Sequence, residues 1–163
     1  MRHRFRSDKD GFSLLEMIII IAIMAILFGG VALSYNMVRS ANTKGTAYDI
    51  DGNLTTLKSK NMASNKLKYM HLYRYSGDFY VDYTDVASYT PAGEGEVIGD
   101  SAVTITCDGT VLSEGTVVTI GMQKKDGAFS QGPKEIKLSS EDGTTYVVYL
   151  IHETGKHYVE QLG

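Results

Sequence analysis

Gly11-Phe12-Ser13-Leu14-Leu15-Glu16-Met17, continued by Ile18-Ile19-Ile20-Ile21-Ala22-Ile23-Met24-Ala25-Ile26-Leu27-Phe28, decides how this chain is read. Met17–Phe28 is apolar without interruption, and Gly29, Gly30, Val31, Ala32 and Leu33 prolong the run. At about 1.5 Å of rise per residue, Met17–Leu33 covers roughly 25 Å as a helix, enough for a thin or tilted hydrocarbon core. The run is longer than the roughly 7–15 residues of an ordinary secretory signal. It is also entered through a carboxylate, Glu16, which costs at least about 2.5–3.5 kcal/mol in a bilayer and therefore requires a role.

Outward from that stretch the charges are unevenly placed. Arg2, Arg4, Arg6 and Lys9 against Asp8 and Asp10 make the first eleven residues net positive, whereas the rest of the chain is net negative. No charge occurs between Glu16 and Arg39. A basic head before an apolar run stays on the cytoplasmic side, so the rest is expected outside. The whole chain has 163 residues, a net charge of −3 and one cysteine. This suffices for one domain with a real core, and excludes an internal disulfide framework and a cysteine zinc cluster.

The Gly–aromatic junction, the glutamate four residues on, the basic leader and the uncharged helix closely resemble the type III signal sequence of type IV pilins and pseudopilins. The resemblance implies that a membrane-embedded prepilin peptidase cuts between Gly11 and Phe12 and N-methylates Phe12. It also implies that Glu16 then faces the terminal amine of a neighbouring subunit. The chemistry is intelligible. A glycine without Cβ lets the scissile backbone approach a catalytic pair of carboxylates. Pairing amine with carboxylate cancels two charges that are each costly alone, and one axial offset alone satisfies both. The family carries a helix-breaking proline in its membrane half. Here Leu33 stands near that place, and Gly29-Gly30 is the weak point.

The helix is expected from Phe12 to Asn65. Val31, Tyr35, Val38, Ala41, Tyr48, Leu54 or Thr55, Leu57 and Met62 recur at three, four or seven and serve as its apolar stripe. From Tyr69 the period changes to two. Tyr69–Tyr75 and Phe79–Tyr83 form a hairpin about Ser76-Gly77-Asp78, followed by a loop over 84–100. Further strands are expected at 102–107, 116–123, 135–139, 145–152 and 157–161, with turns at Asp108-Gly109, Asp126-Gly127, Asp142-Gly143 and Thr154-Gly155-Lys156. The fold class is thus α+β, a long helix packed on one C-terminal antiparallel sheet, which is the pilin architecture. The ending Val147-Val148-Tyr149-Leu150…His157-Tyr158-Val159 is similar to the C-terminal hairpin of Gram-positive pilins and minor pseudopilins. The expected division is a leader over 1–11, removed, a transmembrane assembly helix over 12–38, and a head over 39–163 whose helical part ends near 66.

Other chemistry is sparse. No nucleophile elbow, zincin, phosphate-loop or dinucleotide motif occurs. Asp49-Ile50-Asp51-Gly52-Asn53 opens like a calcium loop, but Lys60 stands where the closing glutamate belongs. His152 and His157 face each other across the last hairpin in this reading, without a third metal ligand. Lys58, Lys60, Lys66 and Lys68 read as a solvated helix face rather than a nucleic-acid contact. Cys107 reads as a small strand residue. The expectation is therefore a structural subunit of a pilus or pseudopilus, not an enzyme, without cofactor, metal or nucleic acid. Its implied partners are the prepilin peptidase, other pilin subunits, an assembly platform with its ATPase, and membrane lipid before assembly. It would pass from a single-pass membrane position to a cell-surface filament. The competing class is a monomeric membrane-anchored extracellular binding domain, whose helix only tethers the head.

Overall fold

The computed structural model describes the backbone of residues 14–162 and the side chains of 14–26 and 41–162. One helix, α1 (Leu14–Ala63), is followed by ten strands. The chain divides into two compact units, Met1–Asn36 and Met37–Gly163. In the first, the described part of α1 is apolar apart from Glu16 and exposed throughout.

The second unit holds the end of α1 and two antiparallel five-stranded sheets, where the sequence reading expected one. With strands numbered in chain order, β1 (Tyr69–Tyr75), β2 (Asp78–Thr84), β3 (Glu96–Gly99), β6 (Val117–Met122) and β7 (Phe129–Gln131) form one sheet, in the order β3-β2-β1-β6-β7. β4 (Val103–Cys107), β5 (Thr110–Val111), β8 (Glu135–Ser140), β9 (Thr145–Ile151) and β10 (Lys156–Leu162) form the other, in the order β10-β9-β8-β4-β5. β1 and β6 are sequence-distant neighbours in the first sheet, and β4 and β8 in the second. Periodicity marks strands, but it carries no information about which distant strand each one pairs with. Three short strands escaped it. β3 lies inside the segment read as a loop, and β5 and β7 have two and three residues.

The turns follow residue chemistry. Ser76 (φ 52°) and Gly77 (φ 94°) both adopt left-handed backbone, as do Asp108 (φ 45°) and Gly109 (φ 81°). Positive φ at both central residues is the two-residue turn that matches strand twist, and Gly after Ser or Asp tolerates it.

The core lies where α1 meets both sheets. Ala47, Ile50, Leu54 and Leu57 share one buried cluster with Met70, Leu72, Ile120, Ile105, Leu138 and Val148. This corrects the expected stripe in part. Leu54 and Leu57 face inward as expected, but Ala41, Tyr48 and Met62 are exposed, as is Thr55, the alternative to Leu54. The further inward positions are Thr43, Thr46, Ala47, Ile50, Asn53 and Asn61. The side chains of Val31, Tyr35 and Val38 lie outside the described residues. Four polar residues on the buried side hid the true stripe from a hydrophobicity count.

Asn61 shows why a polar residue is needed there. Its Nδ2 donates to the carbonyls of Lys68 (3.0 Å) and Met122 (3.3 Å), and its Oδ1 accepts from the Lys68 N–H (2.6 Å). One amide thereby fastens the last turn of α1 to the entry of β1 and the end of β6.

β1 is buried on both faces. Met70 and Leu72 enter the core, while His71 and Tyr73 are covered on the other side by the segment between β2 and β3. Tyr89 stacks on His71 at 4.6 Å and lies 5.2 Å from Tyr73, ring centre to ring centre. Its hydroxyl donates to Asp82 (2.8 Å), the Gly95 N–H donates to the Tyr73 hydroxyl (3.3 Å), and Thr119 donates to the Ala87 carbonyl (3.2 Å). The loop read from sequence is therefore a fastened strap.

Candidate functional site: the apolar N-terminal helix

Of the three residues expected to carry function, Glu16 is described, and Gly11 and Phe12 lie outside the described residues. Glu16 is exposed in the first turn of α1.

The residues after it cannot be explained by the head. Ile18, Ile19, Ile20 and Ile21 are 58%, 50%, 41% and 63% exposed, although four successive helical positions point in four directions. Leu14 and Ile26, at the ends of the described stretch, are 78% and 75% exposed. A helix that is apolar all round requires lipid or other helices around it. Among the described residues no helix is long and apolar enough to cross a membrane. Leu14–Ile26 spans only about 20 Å by helical rise, short of a roughly 30 Å hydrocarbon core. The rest of the expected span, 27–38, has its side chains outside the described residues, as does the weak point at Gly29-Gly30.

The secondary candidates resolve into local contacts. His152 and His157 are not cross-strand partners, because His157 lies opposite Leu150. His157 Nδ1 bonds Asp51 on α1 (2.6 Å), and His152 Nε2 bonds the Pro133 carbonyl (3.1 Å). The loop has the length those strand ends implied but lies one position earlier, at 152–155, which puts His152 in the loop and separates the two. No group of three metal-ligating side chains occurs among the described residues. Asp49–Asn53 is helical, with Asp51 committed to His157, so the resemblance to a calcium loop ends at the sequence.

The lysines are likewise dispersed. Lys58 donates to the Gly155 carbonyl (3.4 Å), Lys60 lies 3.6 Å over the Tyr83 ring, and Lys66 and Lys68 both reach Asp85. Cys107 is buried in β4, and burial pushes its thiol up to about 12, leaving it un-ionised. Sequence reasoning missed His71. It is fully buried, with Nδ1 3.0 Å from the Thr119 hydroxyl and Nε2 2.7 Å from that of Thr84. Burial lowers its pKa from the ordinary 6.5. Alternating Tyr-x-Tyr around it suggested surface and core faces of equal standing, and nothing local announced the strap.

No characterised protein and no solved structure matches the chain. One family does match, over residues 6–32, which hold the Gly11–Phe12 junction, Glu16 and most of the apolar run. That family is the prokaryotic N-terminal methylation motif, and this chain therefore carries the prepilin signal of type IV pilins and pseudopilins.

Proposed function

We propose that this protein is a structural subunit of a type IV pilus or a related pseudopilus, made as a membrane prepilin and polymerised through its N-terminal helix. The observation that carries the reading is the coincidence of the methylation motif over 6–32 with a helical stretch, 14–26, that is apolar on every side and charged once, at Glu16. Prepilin peptidase cuts between Gly11 and Phe12 and methylates Phe12. The mature chain, with its 12–38 segment in the membrane and its 39–163 head outside, is drawn into the filament by an assembly platform and its ATPase.

Glu16 sets the register. Cleavage creates a cationic amine at Phe12, one turn from Glu16, and the carboxylate of one subunit neutralises the amine of the next inside the helical bundle. The small head and short loops favour a minor pilin or pseudopilin over a major one.

Two variants test the reading. Gly11→Val places a branched side chain at the scissile bond, and the chain should accumulate in the membrane uncut. Mass spectrometry finding a chain that begins at Phe12 in that variant would overturn the assignment of the junction. Glu16→Leu should be cut and methylated normally but be lost from sheared filaments, since a buried amine left unpaired costs about 3–5 kcal/mol. A membrane-tethered binding domain would keep Met1 and be indifferent to both changes.

A further inference from the structure

Two concavities of opposite charge lie along the head part of α1. The first, about 330 Å³, runs between α1 and β3 and is lined by Ala41, Gly45, Asp49, Val97, Ile98 and Asp100, among others. Its floor is small and apolar. A Cβ at Gly45 would meet nothing within 4 Å, whereas one at Gly99 would meet Thr46 at 2.8 Å, so glycine lets β3 close against the helix while the groove beside Gly45 stays open. Its rim is acidic. Asp49 is exposed, and Asp100 is oriented by Asn42 Nδ2 (3.2 Å) and the Ala102 N–H (2.9 Å).

The second concavity, about 410 Å³, is at the other end of the same helix and is lined by Lys60, Ala63, Ser64, Lys68 and Tyr83. Lys66, whose side chain is 80% exposed, stands beside it. Asp85 answers part of this charge, and its hydrogen bond from Lys68 holds its carboxyl below the usual range. Lys60 is exposed and lies over the Tyr83 ring, and Lys66 is 3.9 Å from Asp85, a weaker hold than the contact of Lys68.

A lysine is the side chain that an apolar-floored, acid-rimmed groove accommodates. Its aliphatic stem covers Ala41, Gly45 and Val97 while the ammonium remains at the rim with the carboxylates. Of the chain's own lysines, Lys44 beside the groove lies over the Tyr48 ring, 5.9 Å from its centre, and Lys60 and Lys66 cannot reach the groove of the same copy. Asn42, which holds Asp100, and Lys60 are eighteen residues apart on one continuous helix, or about 27 Å.

We infer that the acidic groove at Asp49 and Asp100 receives Lys60 and Lys66 of a second copy of this chain. Two different surfaces meet in such a contact, so each copy still offers a groove at one end and exposed lysines at the other. Lys60 exchanges its place over the Tyr83 ring, and Lys66 its 3.9 Å pair with Asp85. The association therefore propagates instead of closing as a dimer. The inference rests on the filament reading and adds a head-to-head contact to the helical one.

A water-soluble carbodiimide, which joins a carboxylate to an amine only when they touch, tests it on sheared filaments of the unaltered protein. Peptides linking Asp49 or Asp100 to Lys60 or Lys66 are expected, and at about 27 Å within one chain the link from Asp100 must join two copies. If the subunit is in the filaments but these carboxylates link only to other proteins or to nothing, the pairing is wrong and the filament reading stands. If the unaltered subunit is absent from filaments, both fall.

Charge exchange gives the second arm. Asp49→Lys with Asp100→Lys should lower incorporation at least tenfold, and adding Lys60→Glu with Lys66→Glu to the same chain should restore it. Equal incorporation of the first variant, or no recovery in the second at a matched level of protein in the membrane, would overturn the pairing.

Discussion

His71 shows what a single residue can set in this head. Its ring is fully buried between two threonine hydroxyls and the face of Tyr89, with the Asp82 carboxylate nearby. Each hydroxyl also lies within reach of the strap, Thr84 Oγ1 2.7 Å from the Val86 carbonyl and Thr119 Oγ1 3.2 Å from that of Ala87. While one hydroxyl donates to the bare nitrogen of the neutral ring, the other accepts from its N–H and donates to the strap. Burial disfavours the charged imidazole, so the folded protein binds this proton more weakly than the unfolded chain does. The stability His71 contributes is therefore complete above its ordinary 6.5 and is lost as the pH falls from there through its lowered folded value. Urea titrations of the detergent-solubilised chain at pH 7.5 and pH 5 should show a drop that His71→Gln reduces. An equal drop in the variant would place the sensitivity elsewhere. Nothing in Tyr69–Tyr75 announces this. A histidine in an alternating strand reads as a surface residue until something from elsewhere in the chain covers it.

At the scale of elements, α1 was legible in extent but not in facing. It is helical from the first described residue, Leu14, and its C-terminal end, Ala63, falls within two residues of the expected Asn65, while the expected start at Phe12 lies outside the described residues. The apolar face was misjudged because Thr43, Thr46, Asn53 and Asn61 are turned inward. Each is useful there. Asn53 Oδ1 accepts from the Tyr83 hydroxyl at 2.6 Å, and Asn61 holds three backbone groups of two strands. Asn61→Ala leaves those groups without partners in a dry place and should cost about 2–3 kcal/mol. Met62→Ala, one position on and 59% exposed, should cost less than about 0.5 kcal/mol. Denaturant midpoints of the two variants compared with the parent check the contrast, and similar losses would mean that the helix faces the other way. Whereas the longer loop before β10 left its register open by one position, the hairpin turns at Ser76-Gly77 and Asp142-Gly143 were read correctly because they are written in adjacent residues. The division into two sheets was not, because pairing of β1 with β6 and of β4 with β8 depends on residues far apart in sequence.

At the scale of the whole molecule, the division after Asn36 suggests a physical experiment. Residues 39–163 contain every member of the buried cluster. That fragment should stay in solution without detergent and unfold in one cooperative transition. A broad or absent transition would show that the head needs the preceding helix to hold its core together. The methylation motif, whose Gly11 and Phe12 lie outside the described residues, was legible in the sequence, since a basic leader, a Gly–aromatic junction, a lone glutamate and an apolar run are contiguous. The groove and lysines proposed to pair between copies were not, since Asp49 and Asp100 are brought together only by the fold.

The bond between His157 and Asp51 spans 106 positions, and Lys58 reaches Gly155 over 97. β10, which carries His157, is an edge strand bonded to β9 alone. The helix is thus threaded first and waits for the strand that completes its flank. Closing so long a loop comes before any contact within it can repay the lost chain freedom, which places this head among slow-folding topologies. During that interval Ile50, Leu54 and Leu57 lack their final covering, so the time between completing α1 and finishing β10 is when the chain is most open to aggregation or proteolysis.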